Sequence, residues 1–144
     1  MIRNITSEDC PQWAALWQGY QHFYQVSLPP EVTEQSFARF LDDAEPVYAF
    51  VAEENGALLG FVHYIFHHNT WMMNDVCYLQ DLFTTAEARG KGVGTALIEA
   101  VYQVAEARGS SRVYWNTHET NKNAQSLYDK IAAKSGFIQY RKNL

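Results

Sequence analysis

The stretch from Tyr78 to Ala100, YLQDLFTTAEARGKGVGTALIEA, decides the fold of this chain. The segment from Cys77 to Thr84 is mostly apolar and predicts a strand. A glycine-rich loop follows at Arg89 to Gly94, and apolar residues then recur at helical spacing from Val93 to Arg108. Gly109 is the residue type that commonly ends a helix. The stretch therefore predicts a strand and a helix joined by a glycine-rich loop at the helix N-terminus.

This loop has the features of an anion-binding site. Glycines let the backbone turn sharply and approach a ligand closely. The first amides of a helix lack internal acceptors and lie at the positive end of the helix dipole, so such a site binds phosphate or pyrophosphate. Arg89 and Lys91 add positive charge. A plain loop with a glycine-rich helix start is the alternative interpretation.

Two common phosphate loops do not match. A Walker A loop needs Ser or Thr after its lysine and a glycine at position 85, whereas this chain has Gly92 and Thr85. A dinucleotide loop needs GxGxxG directly after its strand. The glycines here alternate as GxGxG and lie several residues beyond the strand.

The rest of the chain predicts further helices and strands without a linker or a repeat. The order β, α, α, β, β, β, α, β, α, β predicts a single α/β (α+β) domain over residues 1–144, with a mixed, mostly antiparallel sheet flanked by helices. The elements expected outside the central stretch are a strand at Ile2 to Thr6, a helix from Ser7 to about Tyr24, a helix from Thr33 to Leu41, a hairpin of Val47 to Ala52 and Leu58 to Phe66 around Asn55-Gly56, a strand at Arg112 to Asn116, a helix from Asn121 or Asn123 to Gly136, and a last strand at Phe137 to Tyr140.

Composition narrows the functional classes. The chain has 144 residues, which fits one domain, and a net charge of −5, which argues against a nonspecific nucleic-acid binder. Cys10 and Cys77 form no CxxC pair, so a reducing compartment is expected. The N-terminal sequence does not resemble a signal peptide, and no apolar run reaches the ~18–20 residues of a membrane span. We expect a cytoplasmic protein that binds neither nucleic acid nor membrane.

Two motifs, in order, point to one family. The pattern Arg89-x-x-Gly92-x-Gly94, between a strand and a helix, resembles motif A of the GCN5-related N-acetyltransferases (GNAT). The pattern Asn121-x-x-Ala124-x-x-x-Tyr128 is similar to the second motif of that family and is followed by Gly136-Phe137. The resemblance implies the GNAT fold and acetyl-coenzyme A as the acyl donor.

The resemblance also implies site residues. Tyr128 lies where the family places its general acid, although a tyrosine packed between helix and sheet is the alternative. The residues that the family pattern places on coenzyme A are Leu82, Phe83, Thr84, Arg89, Gly90, Lys91, Gly92, Val93, Gly94, Thr95 and Asn121.

Two phrases, YLQDLFT and VYWNTHETNKNAQSLYDK, resemble the branch with the yeast histone, polyamine and D-amino-acid acetyltransferases, and the first also resembles the diamine acetyltransferases. Gln80 stands where the diamine enzymes have their proposed base, and a glutamine cannot accept the proton. If the strand is regular, Asp81 is expected on the face opposite to Gln80, as a structural carboxylate. Deprotonation through water or by Glu119 stays open, so the base is unassigned.

The resemblance implies acetyl transfer to a small amine such as a polyamine or an amino acid. A histone-type protein-lysine acetyltransferase and a coenzyme-A-binding sensor without turnover are the alternatives. The candidate acceptor contacts are Tyr24, Gln80, Trp115 and Glu119. No metal site is expected, because His63, His67 and His68 have no further ligands at matching spacing. The family often forms homodimers, for which Phe137, Ile138 and Tyr140 are candidates.

Overall fold

The computed structural model describes all 144 residues. Five strands form one sheet in chain order, antiparallel except for the parallel pair of the fourth and fifth strands. The expectation of a mixed, mostly antiparallel sheet flanked by helices is confirmed. The elements are β1 (Ile2–Asn4), α1 (Cys10–Phe23), α2 (Pro30–Phe40), β2 (Val47–Glu54), β3 (Ala57–His67), β4 (Val76–Thr84), α3 (Val93–Ala107), β5 (Val113–Tyr114) and α4 (Lys122–Ile131).

The central hairpin forms around the predicted turn. Asn55 and Gly56 both have positive φ, +52° and +80°, as a tight hairpin turn with two left-handed residues requires. The strands that it joins, β2 and β3, are longer than predicted and form the middle of the sheet.

The sheet has a helix-covered core on each face. On one face α3 buries Leu97, Ile98 and Val101 against β3 and β4. On the other face α1 and α2 form a second core around Trp13, Trp17 and Phe37. The aromatic stripe predicted for α1 thus lies in the core at its N-terminal end, and it emerges at Tyr24, which is 42% exposed.

Element boundaries differ from the prediction in ways that local chemistry explains. A 3-10 turn, Ser7–Asp9, precedes α1, and the Asp9 carboxylate accepts a hydrogen bond from the Thr6 amide. The second helix begins at Pro30 rather than at Thr33, because proline fits the first helical position, where no backbone N–H is needed. No helix is both long and apolar enough to span a membrane.

The predicted last strand, Phe137 to Tyr140, is wrong. Helix α4 ends at Ile131 rather than reaching Gly136, and residues 132–144, here the C-terminal segment, contain no strand. A strand needs a neighbour for its backbone hydrogen bonds, and this segment pairs with no strand of its own chain. Phe137, Ile138 and Tyr140 are 81%, 76% and 89% exposed.

Candidate active site

A cleft opens where β4 and β5 separate. The two strands pair only at Cys77–Val113 and Tyr78–Tyr114, so β5 is shorter than the predicted Arg112 to Asn116. Beyond Tyr78, β4 continues to Thr84 with β3 as its only strand neighbour. The backbone groups on the other edge of β4 are therefore open to a ligand that lies along the strand.

A β-bulge changes which way β4 presents its polar residues. Tyr64 of β3 pairs with Leu79, but the preceding residue, His63, pairs with Asp81, so Gln80 is the extra residue. Leu79 packs into the α3 core. Asp81 contacts His63 and Tyr20 on the α1 side, while Gln80 is exposed.

The glycine-rich loop provides free amides at the start of α3. Gly90 and Gly92 have φ of +76° and +72°, and a Cβ at either position would meet no atom within 4 Å. The first helical hydrogen bond runs from the Ala96 amide to the Gly92 carbonyl. The amides of Val93, Gly94 and Thr95 have no acceptor in the protein, and no acidic side chain lies in the first turn. This helix end is ready to bind an anion.

The basic residues of the loop lie at the surface. Arg89 and Lys91 are exposed, and Lys91 Nζ lies 3.3 Å from Glu54 Oε1. An exposed ion pair of this kind holds a side chain only weakly. Both cations thus remain available to a phosphate group.

The side chains of β4 next to this loop divide between the two faces. Leu82 packs with the α3 core, and Phe83 packs against Tyr20, Phe61 and the backbone at Gly19. Thr84 lies beside Gly94. The three residues leave their backbone, rather than their side chains, on the open edge of β4.

Tyr128 lies on the other side of the cleft, on α4. Its ring is 5.3 Å from the ring of Trp115, and its hydroxyl makes no hydrogen bond within the protein. Burial raises the pKa of Tyr128, and the neighbouring Tyr24 raises it further. The hydroxyl therefore holds its proton at neutral pH and is free to donate it.

Other predicted residues have local contacts. Asn121 caps α4, because its Oδ1 accepts from the Ala124 amide at 3.3 Å, and its side-chain Nδ2 makes no hydrogen bond within the protein and can donate to a ligand. Trp115 packs between Tyr102 and Tyr128 on the α3 side. Glu119 is exposed, and its backbone carbonyl accepts from Gln125.

The residues that border the cleft on the α1 side are mostly aromatic. The rings of Tyr20 and Tyr24 are 4.8 Å apart, and the Tyr20 hydroxyl donates to Asp81 Oδ1 at 2.6 Å. Tyr24 is close enough to Asp81 for that carboxylate to raise the Tyr24 pKa, after burial as the first cause.

The three histidines of the β3 region each contact a different partner. His63 is buried and contacts Asp81, His67 contacts the Tyr114 hydroxyl, and His68 contacts Asp75 at the surface. Tyr20 and His63 were not predicted as site residues. The sequence offers two signals for them, the hydroxyl of a tyrosine on α1 and a histidine within an apolar strand. Both are also typical of ordinary core positions.

The arrangement fits coenzyme A. The cofactor carries a pyrophosphate, for which the free amides of α3 and the open space around Gly90 and Gly92 are suited. Its amide-containing arm fits the open edge of β4, which offers unpaired backbone groups.

Comparison with known proteins agrees with this geometry. Residues 13–133 match the model of the acetyltransferase (GNAT) family. The chain is 40% identical to the D-amino-acid N-acetyltransferase HPA3 of Saccharomyces cerevisiae, over 99% of this chain and 90% of that protein. It is 27% identical to the thialysine N-epsilon-acetyltransferase of Bos taurus, over 93% of this chain and 84% of that protein.

A solved structure gives the same fold. AAC(6')-Iy, in complex with the bisubstrate analogue CoA-S-monomethyl-acetylneamine, superposes with a TM-score of 0.84 at 21% identity and covers 100% of this chain and 98% of that one. The free helix end, the open strand edge and the match over most of the sequence lead to one conclusion. The chain belongs to the acetyltransferase (GNAT) family, whose acyl donor is acetyl-coenzyme A.

Proposed function

We propose that this enzyme transfers an acetyl group from acetyl-coenzyme A to the primary amine of a small molecule, an amino acid or a similar compound. The 40% identity to a D-amino-acid N-acetyltransferase over nearly the whole chain carries this proposal. The likeness to thialysine N-epsilon-acetyltransferases supports the same class of acceptor. Both relatives are named for acceptors of amino-acid size.

The residues proposed to hold the donor lie along one edge of the cleft. The backbone of Leu82, Phe83 and Thr84 would bond to the amide-containing arm. The loop from Arg89 to Thr95 would hold the pyrophosphate, and Asn121 Nδ2 would bind near the thiol end. When bound, acetyl-coenzyme A supplies an activated acyl group and a thiol leaving group.

Tyr128 is the proposed general acid. Its half-buried hydroxyl faces no protein acceptor, and burial keeps it protonated at neutral pH. A phenol can therefore deliver a proton to the leaving group on the α4 side of the cleft. Tyr24, Gln80, Trp115 and Glu119 stay the predicted contacts of the acceptor.

The two cysteines bear on the proposed location. Cys77 and Cys10 are unpaired, which supports a reducing, cytoplasmic compartment.

We also propose a homodimer in which the C-terminal segment of one copy packs on the other, because its apolar side chains have no partner in their own chain. Sedimentation of the whole chain beside a Phe137→Ser, Ile138→Ser variant tests this, and a monomeric parent protein would contradict it.

Thiol release from acetyl-coenzyme A tests the reaction. The acceptor panel holds D- and L-amino acids, thialysine, spermidine, aminoglycosides and a histone-tail peptide, each with a blank that lacks protein. We expect release with amino acids or thialysine and none with the peptide. Release only with the peptide would favour the protein-lysine alternative. Coenzyme A binding without release by any acceptor would favour the sensor.

A further inference from the structure

Four side chains form a hydrogen-bond chain from the core to the cleft. Trp13 Nε1 donates to His63 Nε2 at 3.0 Å. His63 Nδ1 lies 2.9 Å from Asp81 Oδ2, and the Tyr20 hydroxyl donates to Asp81 Oδ1 at 2.6 Å. Trp13 is fully buried and His63 is 4% exposed, whereas the Asp81 side chain is 12% exposed and Tyr20 is half-buried.

The direction of each proton in this chain is fixed. An indole N–H is only a donor, so His63 Nε2 must accept, and the single proton of a neutral imidazole then lies on Nδ1. Burial lowers the pKa of His63 despite the nearby carboxylate, so the ring stays neutral. Nδ1–H therefore donates to Asp81, and Asp81 accepts from both His63 and Tyr20.

The consequence is a surface that only accepts hydrogen bonds. The Tyr20 proton is committed to Asp81, so Tyr20 Oη offers lone pairs to the cleft. Asp81 forms no ion pair with a lysine or an arginine, and its one ion-pair partner, His63, is neutral. The titratable groups near it are Tyr20 from α1, Tyr24 just after that helix, and His63 from β3. Its charge is thus not balanced by the protein.

We propose that Tyr20 and Asp81 bind the acceptor as an ammonium ion, and that His63 and Trp13 are positioning residues that keep this site a hydrogen-bond acceptor. An ammonium group supplies both the N–H donors and the positive charge that the site lacks. The rings of Tyr20 and Tyr24 add cation–π attraction. This inference rests on the proposed function and specifies the charge state of the acceptor that the site selects.

Ligand binding tests the site without any turnover. Butylammonium chloride and 1-butanol, a neutral molecule of the same chain length, are titrated into isotope-labelled protein while NMR follows the Trp13 Nε1–H and His63 ring signals. We expect a saturable shift with butylammonium and none with butanol. Tyr20→Phe and Asp81→Asn should each weaken the binding about tenfold or more. Equal responses to the two probes would overturn the proposal.

A matched variant separates this effect from the loss of any tyrosine hydroxyl. Tyr48 is half-buried on the opposite face of the sheet, beside Tyr64. Tyr48→Phe should leave butylammonium binding unchanged. Equal weakening by Tyr20→Phe and Tyr48→Phe would contradict a role for Tyr20.

The positioning role has its own readout in the histidine tautomer. Long-range proton–nitrogen NMR of the parent protein at pH 7 should show His63 neutral and protonated on Nδ1. Trp13→Phe removes the donor to Nε2 while Asp81 still holds the Nδ1–H. Nε2 is then free to take a proton, so the imidazolium form should gain at pH 7 and butylammonium binding should weaken. An Nε2–H or imidazolium form in the parent protein would overturn the proposal, whether or not Trp13→Phe folds. Because neither NMR test needs acetyl transfer, failure here is distinct from an absence of acetyl transfer.

Discussion

Asp81 pairs across the sheet with His63, one residue out of the regular register. The shift comes from Gln80, the extra residue of the bulge in β4. In a regular strand Asp81 would share a face with Leu79 and would point into the α3 core. The bulge turns Asp81 toward α1 instead, where Tyr20 and His63 can reach it. One added residue thus brings a carboxylate into the cleft.

Tyr128→Phe tests the proposed general acid. Because the phenol oxygen is the only atom removed, kcat should fall about 100-fold or more while the dissociation constant of coenzyme A stays unchanged. Steady-state kinetics and calorimetric titration of coenzyme A give the two quantities. Tyr48→Phe is the control and should alter neither. An unchanged kcat in Tyr128→Phe would remove Tyr128 from the mechanism.

Gly92→Ala tests the anion site at the start of α3. Alanine at a φ of +72° costs about 1 kcal/mol of stability, and its Cβ would stand where the loop amides approach an anion. We expect a coenzyme A affinity at least about tenfold lower, measured by calorimetry. Gly56→Ala is a matched control, since it has a φ of +80° and equally open surroundings in the hairpin turn.

The two glycine variants should lose similar stability in urea unfolding, because both place a side chain at a left-handed position. Only Gly92→Ala should bind coenzyme A more weakly. If both variants lost affinity equally, the loop would have no direct role in cofactor binding.

Much of the site could be predicted because its signals are local. The strand, the glycine loop and the helix from Val93 are adjacent in sequence, and their chemistry follows from backbone amides rather than from distant partners. The Asn55-Gly56 hairpin was predicted for the same reason, since its turn is set by two residues.

The features that the sequence does not predict depend on contacts between residues far apart in the chain. The bulge at Gln80 exists only in the pairing of β4 with β3, and nothing in the stretch from Tyr78 to Thr84 marks it. The strand predicted at Phe137 to Tyr140 had the right composition but finds no neighbour in its own chain. The chain from Trp13 to Asp81 spans three elements that only the fold brings together.

The two cysteines should differ sharply in reactivity. Cys77 is fully buried, and burial raises the pKa of its thiol to about 12, whereas Cys10 is exposed. The thiolate is the reactive form, so the folded protein should react with one equivalent of a thiol reagent and the unfolded protein with two. Cys10→Ser should react with none while folded. Rapid labelling of Cys77 in that variant would contradict the packing of β4 against α3.

The Arg3–Asp9 pair should make stability depend on acid pH. Arg3 Nη1 lies 2.8 Å from Asp9 Oδ2, and hydrogen bonds from Arg3 lower the pKa of Asp9 from 3.8 to about 2. Because the pKa is lower in the folded state, this contribution is complete above the unfolded pKa and is lost as pH falls from about 4 to about 2. The shift corresponds to about 2 kcal/mol at neutral pH.

Urea unfolding of Asp9→Asn at pH 7 and pH 2.5 measures this contribution. The variant should be about 2 kcal/mol less stable than the parent protein at pH 7. The difference should shrink at pH 2.5, because Asp9 is then protonated in the unfolded state and the folded carboxylate has begun to take up its proton. Asp129→Asn serves as the control, because Asp129 is exposed and forms no ion pair. A difference between parent and Asp9→Asn that stays constant across this pH range would show that Asp9 stabilises the start of α1 by packing or capping rather than through its charge.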